Sequence, residues 1–441
     1  MAKYISKISI YFFNILLKKL LIAQKVMDEF KEKSISSHQK SFSEKWMPSL
    51  YLNKEPIHNL WKITKDDIDL SFYMIIVIFI TWVLSLAGGS FLTILAYWDG
   101  PNYVFAARTL YNISNDNPWT REFQYQPSYF ACHFPGFPLV IRFFSTIFFN
   151  CYWLGDLCAI VFCSLASLYA FRRLLIVYNA VVDPKWTAFL YIFIPIRFLI
   201  YRSVGASEPL FCFYCYMALI CYKTDHLMMM LFALIGACIT RIEGLSIVGT
   251  IGLCYLLKLD LFRAIFTAIS FLATGLVFLM HKYRFGDIYA YFKFNMEGMR
   301  LIRFPPFYLI LNDSKNFKEL VNIYPTLYLH FVFLLGLIVV FHVSLPLAIF
   351  STVYFLYNTL LNHIDRYRYA LPGYTLTLLI GFDCLWSHPK FKNNFLIFAY
   401  FYIFIAILYC IGNICTNRSS DEFILEVLNP VKYPYKPSQQ K

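Results

Sequence analysis

One acidic residue, Asp99, directly follows a long apolar stretch and lies among aromatic residues in the segment LAYWDGPNY (95–103). An acid that ends an apolar helix is ordinary at a membrane surface, where Trp and Tyr are also enriched. A carboxylate held partly out of water can instead have a raised pKa and act as a general base near neutral pH. Asp99 is therefore either a solvated helix end or a catalytic base, and Trp98 and Tyr103 beside it could stack against a sugar.

Six further charged residues lie at or near the ends of later apolar stretches. They are Glu208, Arg241, Glu243, Asp287, Arg366 and Arg368. Arg241 and Glu243 lie between short apolar runs, where ionisable residues are costly and usually mark function, and Arg can bond two phosphate oxygens at once. Together these residues favour a charged cavity at one membrane face, although each of them alone is typical of a solvated helix end. We expect Arg241 to pair with Glu243 or with Glu208.

Two other groups of residues carry weaker signals. His133 is either a site residue or a hydrogen-bonded loop histidine, and His363 and Asp365 lie close enough to Arg366 and Arg368 in sequence to join a site. The segment DDIDL (66–70) contains the Asp-x-Asp pattern of nucleotide-sugar transferases, but no nucleotide-binding domain surrounds it. We interpret it as solvated charge ahead of the first membrane span.

The composition is that of a membrane protein. Of the 441 residues, 59% are hydrophobic and 15% are charged, whereas soluble domains carry about 25% charged residues. Apolar runs of roughly 20 residues, enough to span a bilayer as a helix, recur along the chain, and such runs favour helices over barrel strands. The formal net charge of +13 lies in short loops and at both ends. It therefore indicates topology signals and contacts with anionic lipid, and no nucleic-acid partner.

The chain divides into three parts: a basic leader over residues 1–70 with an amphipathic or interfacial helix, a transmembrane domain over 71–414, and a polar tail over 415–441. We predict an interfacial or re-entrant element over 134–150 and apolar helices over 71–96, 155–178, 186–201, 207–222, 227–240, 244–257, 263–281, 326–342, 346–361, 370–386 and 395–414. The positive-inside rule places the leader in the cytosol. The opposite side then holds the large loops 97–154 and 282–325 and the sequons at Asn112, Asn312 and Asn417.

Six segments resemble, in chain order, parts of the PIG-V family of GPI mannosyltransferases II and its bacterial relatives. YWDGPNYVFAA and HFPGFPLVIR are similar to the first luminal loop, SVGASEPLF to a Tyr-Ser-Glu-Ser-Leu-Phe segment, and TRIEGLSIVG to an Arg-Ser-Asn-Gly-Leu block. RFGDIYAYFKFN is similar to a Gly-Asp-x-x-Ala-Phe element, and DRYRYALPGYTL loosely matches a late Thr-Arg-Phe-x-x-x-x-Pro element. The chain departs from the family at His133, Pro209 and Glu243, where the family has an aromatic residue, Ser and Asn.

The resemblance implies an all-α polytopic membrane protein with a GT-C-type glycosyltransferase fold, about 9–12 transmembrane helices and a long first luminal loop. It implies a multi-pass protein of the endoplasmic reticulum with a luminal active site. There the enzyme would transfer mannose from dolichyl phosphate mannose to a GPI-anchor precursor, as its second, alpha-1,6-linked mannose. Asp99 stands at the position of the catalytic base of GT-C enzymes. We expect substrate to bind to Trp98, Tyr103, His133, Glu208, Arg241, Glu243, Asp287, Arg366 and Arg368.

The same resemblance bears on cofactors and partners. We expect neither a metal nor another cofactor, because Arg can stabilise the charge of a leaving phosphate. Besides the donor, the glycolipid acceptor and membrane lipids, the resemblance raises a small membrane-protein subunit as a partner.

Three alternatives stay open. The enzyme could use another polyprenyl-phosphate sugar or another acceptor, the chain could be a non-catalytic subunit that keeps the fold, or it could be a polytopic transporter. Transporters often contain inverted repeats and broken helices at the membrane midplane. The sequence contains no convincing internal repeat, and its charges gather towards one face. The presence of Asp99 argues against a non-catalytic subunit.

Overall fold

The structure is a computed structural model that describes residues 60–86, 89–308, 317–363 and 365–429. These residues form α-helices, one 3-10 helix and one π-helical turn, and their only strand-like pairings are two isolated β-bridges. The all-α expectation is therefore confirmed. The predicted helix of the leader, the sequon at Asn312 and the end of the polar tail lie outside the described residues.

The helices follow one another through short connections. A 3-10 helix, Pro127–Cys132, precedes α5, and a π-helical turn, Lys293–Gly298, follows α14. The bounds of the helices are α1 Lys65–Ser85, α2 Leu92–Leu95, α3 Gly100–Thr109, α4 Pro118–Phe123, α5 Gly136–Ile147, α6 Tyr152–Val177, α7 Pro184–Phe193, α8 Ile196–Ser203, α9 Glu208–Thr224, α10 Leu227–Thr240, α11 Gly244–Leu257, α12 Leu261–Ala268, α13 Phe271–Phe285, α14 Ala290–Phe292, α15 Phe317–Val343, α16 Leu345–Leu360, α17 Arg366–Gly381, α18 Asp383–Trp386, α19 Pro389–Thr416 and α20 Asp421–Leu428.

Several of these helices are suited to a membrane by length and composition. In the described part of the chain four are long and apolar enough to cross one: α1, α6, the stretch Leu261–Phe285 and the part of α19 from Ala399. The pair α8 and α9 would form a fifth span that is bent by 109° at its break, and five further apolar helices are shorter. The protein is thus a multi-pass membrane protein, while its cellular location and the predicted domain boundaries stay predictions.

The first predicted span, 71–96, is wrong at both ends. α1 begins at Lys65, because the backbone N–H and the hydroxyl of Thr64 both donate to Asp67 Oδ2 at 2.7 Å and cap the helix. It ends at Ser85, and Gly89 then adopts a φ of +119°, which glycine tolerates and other residues rarely do. The short helix α2 follows this turn. Asp99 therefore does not terminate a long apolar helix.

Asp67 is not solvated, contrary to the expectation for the DDIDL segment. It is buried, and its carboxylate accepts from Arg172 Nη1 at 2.7 Å and from Arg173 Nη2 at 2.6 Å. These cations are needed because a buried charge without a partner is costly. Its neighbour Asp66 bonds Arg172 and Lys185 at 2.8 and 2.7 Å. The ion pairs join the start of α1 to the end of α6 and the start of α7.

The other end of α1 lies beside the break between α8 and α9, where Trp82 Nε1 donates to the Ser203 carbonyl at 2.7 Å. A Cβ atom on Gly205 would lie only 3.1 Å from the Cα atom of Gly100, so a side chain there would be crowded. This close approach brings the segment around Asp99 next to the N-terminus of α9. Since Ser85 follows Asp67 by 18 helical residues, this end is about 27 Å from the Asp67 ion pairs.

Candidate active site

The backbone before Asp99 is held by the segment that follows α19. Tyr97 and Arg418 form an isolated antiparallel β-bridge, in which the Trp98 N–H donates to the Asn417 carbonyl at 3.2 Å. Trp98 has a φ of +36°, in the left-handed region that non-glycine residues seldom adopt. The chain then turns into α3, whose first hydrogen bond runs from the Tyr103 N–H to the Asp99 carbonyl at 3.1 Å. This turn directs Asp99 into a cavity.

The Asp99 carboxylate has one cationic partner and two weaker neighbours. Arg368 Nη1, in the first turn of α17, donates to Asp99 Oδ2 at 2.6 Å. On the other oxygen, Oδ1, Asn102 Nδ2 lies at 3.4 Å and His133 Nε2 at 3.5 Å. Asp99 thus links the start of α3 to the loop at His133 and to the start of α17, which lie far apart in sequence.

Arg368 belongs to a larger network of charges, in which Glu208 Oε1 accepts both from Arg368 Nε and from Arg241 Nη1, the latter at 2.6 Å. Arg241 Nη2 also bonds Glu243 Oε1 at 3.0 Å. Both predicted partners of Arg241, Glu208 and Glu243, are therefore confirmed. Glu208 opens α9, Arg241 and Glu243 lie at the break between α10 and α11, and Arg368 lies in the first turn of α17, so helix ends supply every member.

Asp99 is ionised in this setting. Burial by itself raises the pKa of the Asp99 carboxyl, but the Arg368 guanidinium and the hydrogen bond with His133 outweigh it and hold that pKa well below its usual range. The raised pKa that the sequence suggested is therefore wrong for this arrangement. Asp99 is in the base form at every physiological pH, but it is a weak base while Arg368 holds it.

Aromatic and polar side chains line one wall beside Asp99. Tyr103 shares a hydrogen bond of 2.9 Å with Ser207 and packs edge-on against the His133 ring, with centroids 5.3 Å apart. His133 Nε2 lies 3.0 Å from Asn102 Nδ2, and the backbone carbonyl of His133 accepts from Tyr111 at 2.5 Å. His133 is thus both a hydrogen-bonded histidine and a neighbour of the carboxylate.

These residues enclose a cavity of about 700 Å³. A second, apolar cavity of about 220 Å³ adjoins it, since the two share the lining residues Ile242, Glu243, Tyr291 and Leu301. The larger cavity is lined by Trp98, Asp99, Tyr103, Tyr125, Tyr129, Cys132, His133, Phe134, Arg197, Ser207, Thr240, Arg241, Ile242, Glu243, Tyr291, Phe294, Asn295, Met299, Leu301, Asn362, His363, Asp365, Arg368, Tyr369 and Asn417. A polar head group and the beginning of an apolar chain could therefore bind side by side.

Three predicted substrate-binding residues do not line this cavity. Asp287 bonds Lys293 at 2.7 Å outside it, and that hydrogen bond with the Lys293 ammonium lowers the pKa of Asp287. Arg366 is buried, and its carbonyl accepts from Asn358 Nδ2 at 2.7 Å. Glu208 lies behind the two guanidinium groups, with its side chain 2% exposed. The remaining predicted residues, Trp98, Tyr103, His133, Arg241, Glu243 and Arg368, lie together with Asp99.

The structure adds an ion pair that the sequence analysis did not predict. Arg197 Nη2 donates to Asp365 Oδ1 at 2.8 Å, and the Tyr201 hydroxyl donates to the other oxygen at 2.5 Å. Both charged residues line the cavity. An arginine within the apolar stretch 186–201 was the available signal, because such a charge is costly in a membrane. Within the described ranges, no group of three or more His, Cys, Asp and Glu side chains could hold a metal ion.

No protein-family model matches the chain, and no curated protein matches it. Among solved structures, the chain is similar to ArnT from Cupriavidus metallidurans, determined with bound undecaprenyl phosphate. The two share 13% sequence identity and a TM-score of 0.44, over 81% of this chain and 76% of that chain.

Proposed function

We propose that this protein is a GT-C-type glycosyltransferase of the endoplasmic reticulum membrane. It transfers mannose from dolichyl phosphate mannose to a GPI precursor, as the second mannose of the anchor. One observation carries the proposal: the six family-like segments, spread over residues 97–376, each supply at least one residue of a single cavity. In chain order these residues are Asp99, His133, Ser207, Arg241, Tyr291 and Arg368.

The chemistry of the cavity suits a lipid-linked phosphosugar. Two guanidinium groups, of Arg241 and Arg368, line the cavity, and a guanidinium is suited to bonding a phosphate. Aromatic side chains such as Trp98 and Tyr103 offer faces for a sugar, and the adjoining apolar cavity accepts the first isoprene units of the lipid. A nucleotide sugar would leave the apolar cavity unused. The arrangement therefore favours a polyprenyl-phosphate donor.

The proposed reaction is one displacement at the anomeric carbon of the donor sugar. The acceptor hydroxyl oxygen forms the new bond to this carbon while the bond from the carbon to the phosphate oxygen breaks. Asp99 takes the hydroxyl proton, and the bonding electron pair leaves with dolichyl phosphate. Arg368 and Arg241 stabilise the charge that develops on the leaving phosphate. Atoms and charge balance without a metal.

Two alternatives keep the same cavity but change its use. A different polyprenyl-phosphate sugar or another acceptor would fit the same charges, so only substrate assays separate these from the proposed reaction. A transporter is disfavoured because the charged residues gather where helix breaks meet at one end of α1, and transporters usually place them at the membrane midplane. A small partner subunit remains an expectation from the resemblance.

The test is a transfer assay with purified protein and a mannosylated glucosaminyl-phosphatidylinositol acceptor. Three radiolabelled donors are compared: dolichyl phosphate mannose, dolichyl phosphate glucose and GDP-mannose. We expect label to reach the acceptor from dolichyl phosphate mannose alone. Transfer from dolichyl phosphate glucose would move the assignment to another polyprenyl-phosphate sugar, and transfer from GDP-mannose would contradict the proposed donor class.

A further inference from the structure

We propose that Asp99 and the donor phosphate compete for one guanidinium, that of Arg368, so that donor binding releases Asp99 to act as the base. The proposal rests on the proposed function, because it assumes a phosphate-bearing donor. It begins from a geometric fact: the Asp99 carboxylate lies 2.6 Å from Arg368 Nη1, at the place where a phosphate oxygen would also bind.

The charges of the network leave little room for a further anion. Three carboxylates, of Asp99, Glu208 and Glu243, bond two guanidinium groups, of Arg241 and Arg368. Both cations are thus already neutralised, and the five side chains together carry one excess negative charge. A phosphate that only added to this cluster would meet repulsion in a partly dry cavity. It gains a guanidinium as its partner when it takes the place of one of the carboxylates on that cation.

Exposure identifies the carboxylate that is replaced. The side chain of Glu208 is 2% exposed and does not line the cavity. Glu243 and Asp99 both line it, and their side chains are 11% and 24% exposed. Glu208 also holds both arginines through a single oxygen, so its loss would separate them. A ligand in the cavity therefore reaches the Asp99–Arg368 bond first. Glu208 stays in place as a positioning residue for the two guanidinium groups.

Asp99 keeps two neighbours after Arg368 turns to the phosphate. Asn102 Nδ2, at 3.4 Å, is a neutral donor, and His133 Nε2 lies at 3.5 Å. Without the guanidinium, burial acts on the carboxylate with less opposition and makes it a stronger base. The base would therefore gain strength only when the donor is in place, which protects the donor from attack before it is bound correctly.

The competition predicts that removing the charge of Asp99 strengthens phosphate binding. A fluorescent polyprenyl monophosphate is titrated into detergent-purified wild type, Asp99→Asn, Arg368→Gln and the double variant. We expect Asp99→Asn to bind about fivefold more tightly than wild type, because a neutral amide competes less well than a carboxylate for Arg368. The same Asp99→Asn change should have no effect in the Arg368→Gln background.

Controls separate this proposal from the proposed function. Asp287→Asn makes the same chemical change at an aspartate outside the cavity and should leave binding unchanged. Titrations with inorganic phosphate and with the matching polyprenol measure how much the head group and the lipid chain each contribute to affinity. Equal affinity of wild type and Asp99→Asn, or tightening that persists in the Arg368→Gln background, would overturn the competition alone. If neither wild type nor Asp99→Asn binds the lipid phosphate, the proposed function falls as well.

Discussion

Asp99 takes its chemical character from a residue that follows it by 269 positions in the chain. Arg368 and His133 together overcome the effect of burial and keep the carboxylate ionised. His133 is in turn oriented by Asn102 and by the surrounding tyrosines, so the carboxylate is held on both oxygens. A general base at this position is always deprotonated, and its strength is set by whether Arg368 is engaged elsewhere.

This gives a prediction for the pH dependence of transfer. The pKa of Asp99 lies below its ordinary value of 3.8, so protonation of Asp99 should not reduce kcat/KM between about pH 5 and 8. In Arg368→Gln the cation that opposes burial is gone, the pKa rises, and residual kcat/KM should fall as the pH is lowered through this range. The measurement is the pH profile of mannosyl transfer for both proteins. Profiles of the same shape would show that Arg368 does not set the basicity of Asp99.

At the scale of elements, the site is made by helix ends. The break between α10 and α11 and the start of α17 present charged residues to the same cavity, and the break between α8 and α9 presents Ser207 and places Glu208 behind the two guanidinium groups. The segment that follows α19 closes the arrangement from the opposite side of Asp99. Its last helix, α20, packs on the first large loop through the Arg121–Glu426 ion pair and through Phe423 against Trp119.

The contacts of α20 predict that the C-terminal segment positions Asp99. Truncation after Ser420 removes α20 and its support for the bridge between Tyr97 and Arg418, and we expect at least a tenfold loss of transfer, about 1.4 kcal/mol in the transition state. Truncation after Asn429, which leaves α20 whole, is the matched control. Both proteins are compared at equal membrane levels. Full activity without α20 would contradict a positioning role for it.

A second element-scale prediction concerns the opposite end of α1. Asp67→Asn leaves Arg172 and Arg173 without their buried carboxylate partner, and breaking such a pair costs about 3–5 kcal/mol. Asp69→Asn is the control, since Asp69 bonds Lys185 at 2.9 Å at the surface and such pairs contribute little. Thermal unfolding in detergent should distinguish the two variants clearly. A melting temperature for Asp67→Asn equal to that of Asp69→Asn would contradict the role of these ion pairs.

Over the whole molecule, two charged clusters lie at opposite ends of α1. The Asp67 cluster consists of Asp66, Asp67, Arg172, Arg173 and Lys185. The Asp99 cluster consists of Asp99, Glu208, Arg241, Glu243 and Arg368. The Asp67 cluster contains residues that the positive-inside rule assigns to the cytosol, and the Asp99 cluster contains residues assigned to the lumen. Which end faces which compartment is a prediction from charge alone. The two sequons within the described residues can test it, because they lie near the Asp99 end in different surroundings.

We expect a glycan at Asn112 and none at Asn417. Asn112 is exposed, whereas Asn417 lines the cavity and its amide donates to the Asn413 carbonyl at 3.1 Å. In an Asn312→Gln background, which removes the third predicted luminal sequon, Asn112→Gln should therefore abolish the shift in gel mobility that a glycosidase produces, while Asn417→Gln leaves that shift in place. A glycosidase shift that survives Asn112→Gln and disappears in Asn417→Gln would contradict the described cavity.

The sequence predicted most helices but only part of the site. Apolar runs bounded by polar residues fix helix limits locally, so 227–240 and 244–257 match α10 and α11. The partner of an ionisable residue is a tertiary property: neither Arg172 for Asp67 nor Arg197 for Asp365 follows from local pattern. For the same reason the sequence could locate Asp99 without giving its pKa, and Asp287 and Arg366 were placed in the site because their types fitted.

Addition of the second GPI mannose with Asp99 as the base is tested most directly by complementation of cells that lack GPI mannosyltransferase II. The readout is the amount of GPI-anchored protein at the cell surface. Wild type, Asp99→Asn and the matched variant Asp287→Asn are expressed to equal levels. We expect rescue by wild type and by Asp287→Asn and no rescue by Asp99→Asn. Rescue by Asp99→Asn would remove Asp99 as the base, and failure of the wild-type chain to rescue would contradict the proposed acceptor.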